Sequence, residues 1–289
     1  MSSTCADSQT VDEAQRQLEE EILAQRMDNI RQKIVVMSGK GGVGKSTVAV
    51  NLAVGLSQAG MSVGLLDVDV HGPSIPQLLG MQGQGTHLIE HELQAVRVND
   101  RLSVMSIGFL VTSPTDAVIW RGPRKYALIR QFLKDVNWGR LDYLVIDSPP
   151  GTGDEPLAVA QLVGKPATAV LVTTPQELAV NDVRRSVSFC RAVDLPVLGI
   201  IENMSGFACP ACGHRIDIFK TGGGESLAAE MNVRFLGKVP LDPAVVSRGD
   251  SGEPQTCLKN VGGSAQAFRD VVQAVLDHTR AGRVELKVL

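Results

Sequence analysis

The densest chemical signal in the chain is Gly39-Lys40-Gly41-Gly42-Val43-Gly44-Lys45-Ser46, followed by Thr47. Gly39 and Gly44 are separated by four residues and lead directly into a lysine and a hydroxyl, the pattern of a phosphate-binding loop. The physical basis is backbone curvature. Glycines let successive N–H groups turn toward phosphate oxygens, and the start of a helix adds the positive end of its dipole. Lys45 is expected to reach the β- and γ-phosphates, and the Ser46 hydroxyl to ligate Mg²⁺. Lys40 is a second lysine inside the loop, where the cradle alone needs no cation. It reads either as a group reaching the nucleotide of a facing subunit, like an arginine finger supplied in trans, or as a solvated lysine.

Carboxylates stand where such a loop needs them. Leu65-Leu66-Asp67-Val68-Asp69 ends an apolar run with two aspartates at period two, so both share one face of a strand. Asp69, further out, is the better placed to orient an attacking water. Helix capping, or an outer role around Mg²⁺, is the other reading of this pair. Leu144-Val145-Ile146-Asp147 ends a second apolar run in one carboxylate, as expected of the acid beside a phosphate loop and near Mg²⁺. The turn Ser148-Pro149-Pro150-Gly151 that follows is stiff and suited to sensing a γ-phosphate.

A different chemistry is offered by Cys209-Pro210-Ala211-Cys212-Gly213, a knuckle whose two sulfurs can grip one metal centre. A complete tetrahedral zinc site or a 4Fe–4S cluster wants four thiolates, and the chain has no second knuckle. Cys190 falls in a predicted helix and reads as a core thiol, while Cys5 and Cys257 are isolated. Two chains about a two-fold axis, each giving Cys209 and Cys212, would complete a shared centre. Spacing alone favours a structural zinc, finished by the dimer or by His214. His71, His87, His91 and His278 form no ligand pattern, and Gly222-Gly223-Gly224 reads as a helix-entry turn or an anion nest.

These residues need a scaffold, and the apolar pattern describes one. Strand-like runs at 34–37, 63–66, 102–107, 141–146, 167–172, 197–201 and 235–239 alternate with helical patterns, including 125–136, 156–163, 178–193, 226–231 and 265–278. The alternation predicts an α/β fold, a mostly parallel twisted sheet with helices on both faces and ligands at the strands' carboxyl ends. Residues 1–32 read as a tail and a solvated lead helix with a disordered tip, its apolar stripe Leu18, Ile22 and Met27. One domain is expected over 33–280, with 281–289 as a C-terminal tail and 82–100 as an irregular surface excursion.

Composition narrows the classes. With 28 Lys+Arg against 31 Asp+Glu, the net charge of −3 argues against a protein held on nucleic acid by bulk charge. No apolar run approaches the roughly 20 residues of a membrane span, and the polar start lacks a signal-peptide pattern. Together with the odd cysteine count these point to a cytoplasmic protein that uses thiols for metal rather than disulfides.

The combination of Lys40 with Lys45, the strand tips Asp69 and Asp147, and Asp147-Ser148-Pro149-Pro150-Gly151 resembles the deviant Walker A ATPases, the MinD/ParA-like (SIMIBI) P-loop NTPases. Glu202-Asn203-Met204-Ser205, the cysteine knuckle and Trp120-Arg121-Gly122-Pro123 narrow the resemblance, over about 33–268, to the Mrp/ApbC/Nbp iron–sulfur cluster carriers. The resemblance implies a homodimer sandwiching ATP with Lys40 acting in trans, Asn203 recognising adenine, and Pro240 to Asp242 packing near the base. It also turns the knuckle from zinc to a transferable 4Fe–4S cluster delivered to apo iron–sulfur proteins. The chain departs from the family in lacking the N-terminal cysteine cluster of the eukaryotic Nbp branch and the small domain preceding many bacterial Mrp ATPases. Its rival, a ParA- or MinD-like positioning ATPase, needs a basic surface or a C-terminal amphipathic anchor and leaves the cysteine pair without a use.

Overall fold

The computed structural model describes residues 4–69, 72–89, 92–110, 122–209, 211–254 and 262–285. Buried apolar runs become strands: β1 (Ile30–Ser38), β2 (Val63–Asp67), β3 (Leu88–Ile89), β4 (Glu92–Gln94), β5 (Val96–Asn99) and β6 (Leu102–Ser106). The series continues with β7 (Val136–Asn137), β8 (Leu141–Asp147), β9 (Ala167–Thr173), β10 (Val197–Ala208), β11 (Arg215–Ile216) and β12 (Phe235–Leu241). Between and around them lie α1 (Thr4–Asp28), α2 (Lys45–Gln58), α3 (Ile75–Leu78), α4 (Gly122–Asp135) and α5 (Asp154–Leu162). The remaining helices are α6 (Glu177–Ala192), α7 (Gly223–Glu230), α8 (Pro243–Asp250) and α9 (Gly263–Glu285).

The main sheet runs β11-β10-β9-β1-β8-β2-β6-β5, with β12 also paired to β10. Its central pairs are parallel, and only β10–β11 and β5–β6 are antiparallel. Strands β1, β2, β8 and β9 are buried almost throughout, which is why they read as continuous apolar runs rather than alternating ones. Each fully buried Leu, Ile or Val in them contributes about 1.5–3 kcal/mol. From β1 the chain crosses through α2 toward β2, whereas α4, α5 and α6 follow moves in the opposite direction along the sheet. Right-handed crossovers therefore put α2 on one face and the other three on the opposite face, and α9 packs against α2.

Register decides what lies at the carboxyl edge. Asp67 stands opposite Asp147, Val36 opposite Asp147 on the other side, and Glu202 opposite Thr173. Neighbouring strands β1 and β9 send the chain on in opposite directions along the sheet, and the phosphate loop leaves β1 at that switch point.

Three expectations are corrected. The lead helix begins at Thr4, ahead of the periodic stretch, in a segment with no Gly or Pro to interrupt it, and the tip at 1–3 lies outside the described residues. Its buried face is Leu23 and Met27, at 8% and 3% exposure, while Leu18 is 57% and Ile22 36% exposed. Burial of Leu23 and Met27 sets that face, and beside it Glu19 pairs with Arg130 at 2.9 Å and Lys134 at 3.4 Å on α4. The stretch 82–100 is also less irregular than expected: β3, β4 and β7 form a small second sheet, and β5 joins the main one. Finally β1 starts at Ile30, ahead of the apolar run, because buried Lys33 is admitted by donating to the Met27 and Lys165 carbonyls at 3.1 and 3.3 Å.

Candidate functional site

The phosphate loop connects the end of β1 to the start of α2. Gly44 caps that helix with φ +82 and no side-chain cap bond, so the first N–H groups of α2 remain directed at the loop's concavity. Two glycines are fixed by close approach. A Cβ on Gly39 would come within 2.4 Å of the Asp182 backbone on α6, and one on Gly44 within 2.2 Å of Asn203 Nδ2.

Lys45 is buried and turned toward the carboxylates. Its Nζ donates to Asp147 Oδ1 at 2.6 Å, lies 3.6 Å from Asp69 Oδ2 and 3.4 Å from Ser46 Oγ. Burial pushes the Asp147 carboxyl above its ordinary range, against the pull of the Lys45 charge and of hydrogen bonds from Lys45 and Ser46. Asp67 is more deeply committed. Burial, reinforced by the neighbouring Asp147 charge, pushes it up to about 8, and its oxygens accept from Ser106 Oγ at 2.8 Å and the Asp69 N–H at 3.1 Å. Asp69, by contrast, lines the cavity over the loop. The two carboxylates at period two are thus divided between a structural role and a place in the site.

The Mg²⁺ expectation can be tested on the donor set. Asp147 Oδ2 is buried with no hydrogen-bond partner among the described residues, and Ser46 Oγ and Asp69 lie around the same ammonium. Hard oxygen donors with one uncommitted carboxylate oxygen fit a small divalent cation.

Two cavities adjoin here. One of about 280 Å³ is lined by Lys40, Gly41, Gly42, Lys45, Ser46 and Asp69 among others. The second, about 240 Å³, is lined by Asn203, Met204, Pro240, Leu241, Asp242 and Val245, and the two share Gly44, Thr47 and Leu78 as walls. The first is framed by the loop's own backbone with its lysines, hydroxyl and carboxylate, and the second by Met204, Pro240, Leu241 and Val245, so a cleft for a polar group runs on into one for a flatter, less polar group. Asn203 is buried and donates from Nδ2 to the Val43 carbonyl at 2.9 Å, pinning the loop. Asp242 caps α8 by accepting from the Ala244 N–H at 2.9 Å and receives Ser264 Oγ at 2.5 Å, so it shapes the wall through its backbone. The Gly151 N–H of the Pro-Pro-Gly turn donates to the Ser38 carbonyl at 2.8 Å, fastening that turn to the mouth of the loop.

The knuckle lies at the tip of the β10–β11 hairpin. The Cys209 N–H donates to the His214 carbonyl at 2.9 Å, the Gly213 N–H to the Cys209 carbonyl at 2.8 Å, and Gly213 takes φ +73 to close the turn. Backbone N–H groups of Cys212 and Ala211 point at the Cys209 sulfur and hold its thiol below the ordinary range. Cys212 is exposed and Cys209 half-buried, both with free thiols. Among the described residues no group of three metal-binding side chains gathers, so His214 does not join the pair into a ligand set within one chain. Cys190 is buried as expected, its thiol pushed up to about 12 by that burial.

Glu202 is the residue that sequence reading passed over except as part of a motif. It is fully buried, and its carboxylate accepts from the N–H groups of Gly222 and Gly224 at 2.9 and 2.6 Å. The triple glycine is therefore both the entry to α7 and an anion nest, filled by the protein's own carboxylate. An acid at the end of an apolar strand was the available signal. The side chains of Cys5, Gly122 and Pro123, and all of His71, His91, Trp120, Arg121, Pro210 and Cys257, lie outside what the structure describes.

Comparison with known proteins gives the family. The family model described as ParA, NUBPL iron-transfer P-loop NTPase, matches residues 29–276. The human cytosolic Fe-S cluster assembly factor NUBP2 is 48% identical over 258 residues, covering 87% of this chain and 94% of that protein. The Trichoplax adhaerens NUBP2 homolog is 49% identical over 251 residues, covering 86% and 95%. Among solved structures, a nucleotide-binding protein from Archaeoglobus fulgidus in complex with ADP superposes with a TM-score of 0.72 at 39% identity, over 85% of this chain and 98% of that one. The Pyrococcus furiosus cell division ATPase MinD shares the fold, with a TM-score of 0.62 at 22% identity over 86% and 99%. By sequence and by fold, the chain belongs to the ParA family described as NUBPL iron-transfer P-loop NTPase.

Proposed function

We propose that this chain binds and hydrolyses ATP and uses the cycle to assemble a 4Fe–4S cluster and transfer it to apo iron–sulfur proteins. The cluster is cargo held between two copies of the chain, each giving Cys209 and Cys212. The observation that carries the reading is the course of β10, which supplies Asn203 to the cavity beside the phosphate loop and ends one residue before Cys209. Family membership supports the iron cargo, and relatives named cytosolic assembly factors support a cytoplasmic location. Neither nucleic acid nor membrane is needed by this scheme. The charge is mildly negative, and among the described residues no helix is long and apolar enough to cross a membrane.

In this reading residues 33–280 work as the ATPase unit, with 1–32 and 281–289 as its flanks. Gly39 to Thr47 cradle the phosphates through their N–H groups. Lys45 exchanges Asp147 for the β- and γ-phosphate oxygens as ATP enters. Ser46 and Asp147 are the residues that would hold Mg²⁺, which would supply positive charge to the β- and γ-oxygens. Asp69 orients a water and takes its proton as the water oxygen bonds to the γ-phosphorus and the bond to the bridging oxygen breaks, leaving ADP and phosphate. Lys40 of the facing copy offsets charge on the leaving oxygen. Asn203 meets the adenine, with Pro240 and Asp242 as the wall beside it. Loss of the γ-phosphate releases the turn after Asp147, and the knuckle's hold on the cluster changes with it.

Anaerobic reconstitution with iron and sulfide tests this directly. The wild type is expected to hold about four iron and four acid-labile sulfides per pair of chains, and Cys209→Ala to hold almost none. Zinc without labile sulfide in the wild type, or an unchanged iron content in the variant, would refute the cluster assignment while leaving the nucleotide site untouched.

A further inference from the structure

Glu202 has no part in the chemistry above, yet it is a charged side chain with 0% exposure. Its Oε1 accepts from the Gly222 N–H at 2.9 Å and from the Ser205 hydroxyl, and its Oε2 from the Gly224 N–H at 2.6 Å. A Cβ on Gly224 would lie 2.9 Å from Thr173 Cγ2 and 3.1 Å from Glu202 Cβ, so glycine keeps this seat open. A carboxylate satisfied by two backbone donors and a hydroxyl in a dry interior is a strong fastening, because breaking it strands a buried charge.

Where the fastening lies gives it a second meaning. The chain from Ser205 to Gly222 is one excursion that carries the knuckle, and Glu202 ties its outgoing stem to its returning stem. The next residue, Asn203, lines the base cavity and holds the Val43 carbonyl of the phosphate loop. Between Asn203 and Phe207 the pairing of β10 with β12 shifts register, with Met204 at φ +56 and Gly206 at φ +71. The strand is therefore bent between the nucleotide side chain and the cysteines, and a plain ladder does not carry movement across it. The carboxylate bridges that bend.

We propose that Glu202 is the positioning residue that carries occupancy of the base cavity to Cys209 and Cys212. A base that draws the Asn203 amide away from Val43 moves β10 at residue 203. Because Glu202 grips both stems, the cysteine excursion follows as a unit instead of the strand flexing at its bulge. The proposal rests on the nucleotide–cysteine coupling in the function proposed above.

The test follows N-ethylmaleimide labelling of Cys209 and Cys212 in the reduced, metal-free full-length chain by peptide mass spectrometry. It is run with and without a slowly hydrolysed ATP analogue and Mg²⁺, beside a titration of the same analogue. In the wild type the analogue is expected to change the labelling rate by about fivefold or more, the low end of ordinary inter-site coupling. Glu202→Gln places an amide NH₂ where an N–H was accepted, and it is expected to bind the analogue as the wild type does while the labelling ratio falls toward one. Ser205→Ala removes a single bond and should give an intermediate ratio, which decides the matter if Glu202→Gln fails to fold. Equal ratios in wild type and variants overturn the role of Glu202 and leave the coupling standing. A ratio of one in the wild type removes the coupling and this inference with it. Loss of analogue binding in Glu202→Gln makes the residue part of the nucleotide site and likewise overturns the proposal.

Discussion

Lys45 shows why a phosphate-loop lysine comes with carboxylates. A buried ammonium without a partner is costly, and the 2.6 Å contact to Asp147 supplies one until phosphate arrives. The two aspartates of β2 and its continuation separate by environment rather than by type. Asp67 is fully buried and serves Ser106 and the Asp69 N–H, whereas Asp69 borders the cavity. Replacing Asp69 with Asn should therefore lower the ATP turnover rate by about a hundredfold or more. Nucleotide affinity should hold, because the loop's N–H groups and Lys45, which carry the phosphate contacts, are unchanged. Single-turnover phosphate release beside an equilibrium titration measures both, and an unimpaired rate would move the water-orienting role to another group. Residue type and strand-end position made Asp69 and Asp147 legible in the sequence. Asp69 was already preferred there for lying further out, but the buried role of Asp67 was not visible, since it depends on Ser106, which sequence places 39 residues from Asp67.

At the scale of elements, the phosphate loop is defined by what presses on it. Gly44 combines φ +82 with Asn203 Nδ2 at 2.2 Å from any added Cβ, so Gly44→Ala strains the backbone and evicts the side chain that pins Val43. Strain of this kind costs about 1–3 kcal/mol, and we expect at least that much loss of nucleotide binding with the fold retained. Calorimetry of ADP binding, with far-UV circular dichroism as the folding control, reads it; an affinity equal to wild type would show that the loop relaxes. The long buried strands were visible as apolar runs, and α6 and α9 as periodic patterns. Helices α3 and α8 were not. They span four and eight residues, too short for a period to register, and α8 has no buried residue. Their place comes from backbone contact, because a Cβ on Gly252 would lie 2.3 Å from the Gly80 Cα. The course of β10 past its bulge was likewise hidden, since the apolar run ends at Ile201 while pairing continues to Ala208.

For the whole molecule, the open sheet collects at one edge the tips of strands far apart in sequence, and the phosphate loop rises from the switch point among them. The function proposed above needs a second copy, since among the described residues no third metal-binding side chain joins Cys209 and Cys212, and Lys40 lines the cavity over the loop. The Asp69→Asn chain with ATP and Mg²⁺ should therefore run at twice the mass of one chain in light scattering, and Lys40→Ala in that background should weaken the pairing. A single-chain mass at every nucleotide state would exclude the shared site. Sequence by itself determined the fold class, the phosphate loop, the acid at Asp147 and the cysteine knuckle, because each is written in local spacing or in an apolar period. Tertiary structure alone decided which face of α1 is buried, that Asp67 is committed to Ser106, and that Glu202 fills the glycine nest. Those outcomes are set by contacts between segments, where charge pairing and burial choose among options that local sequence leaves equal.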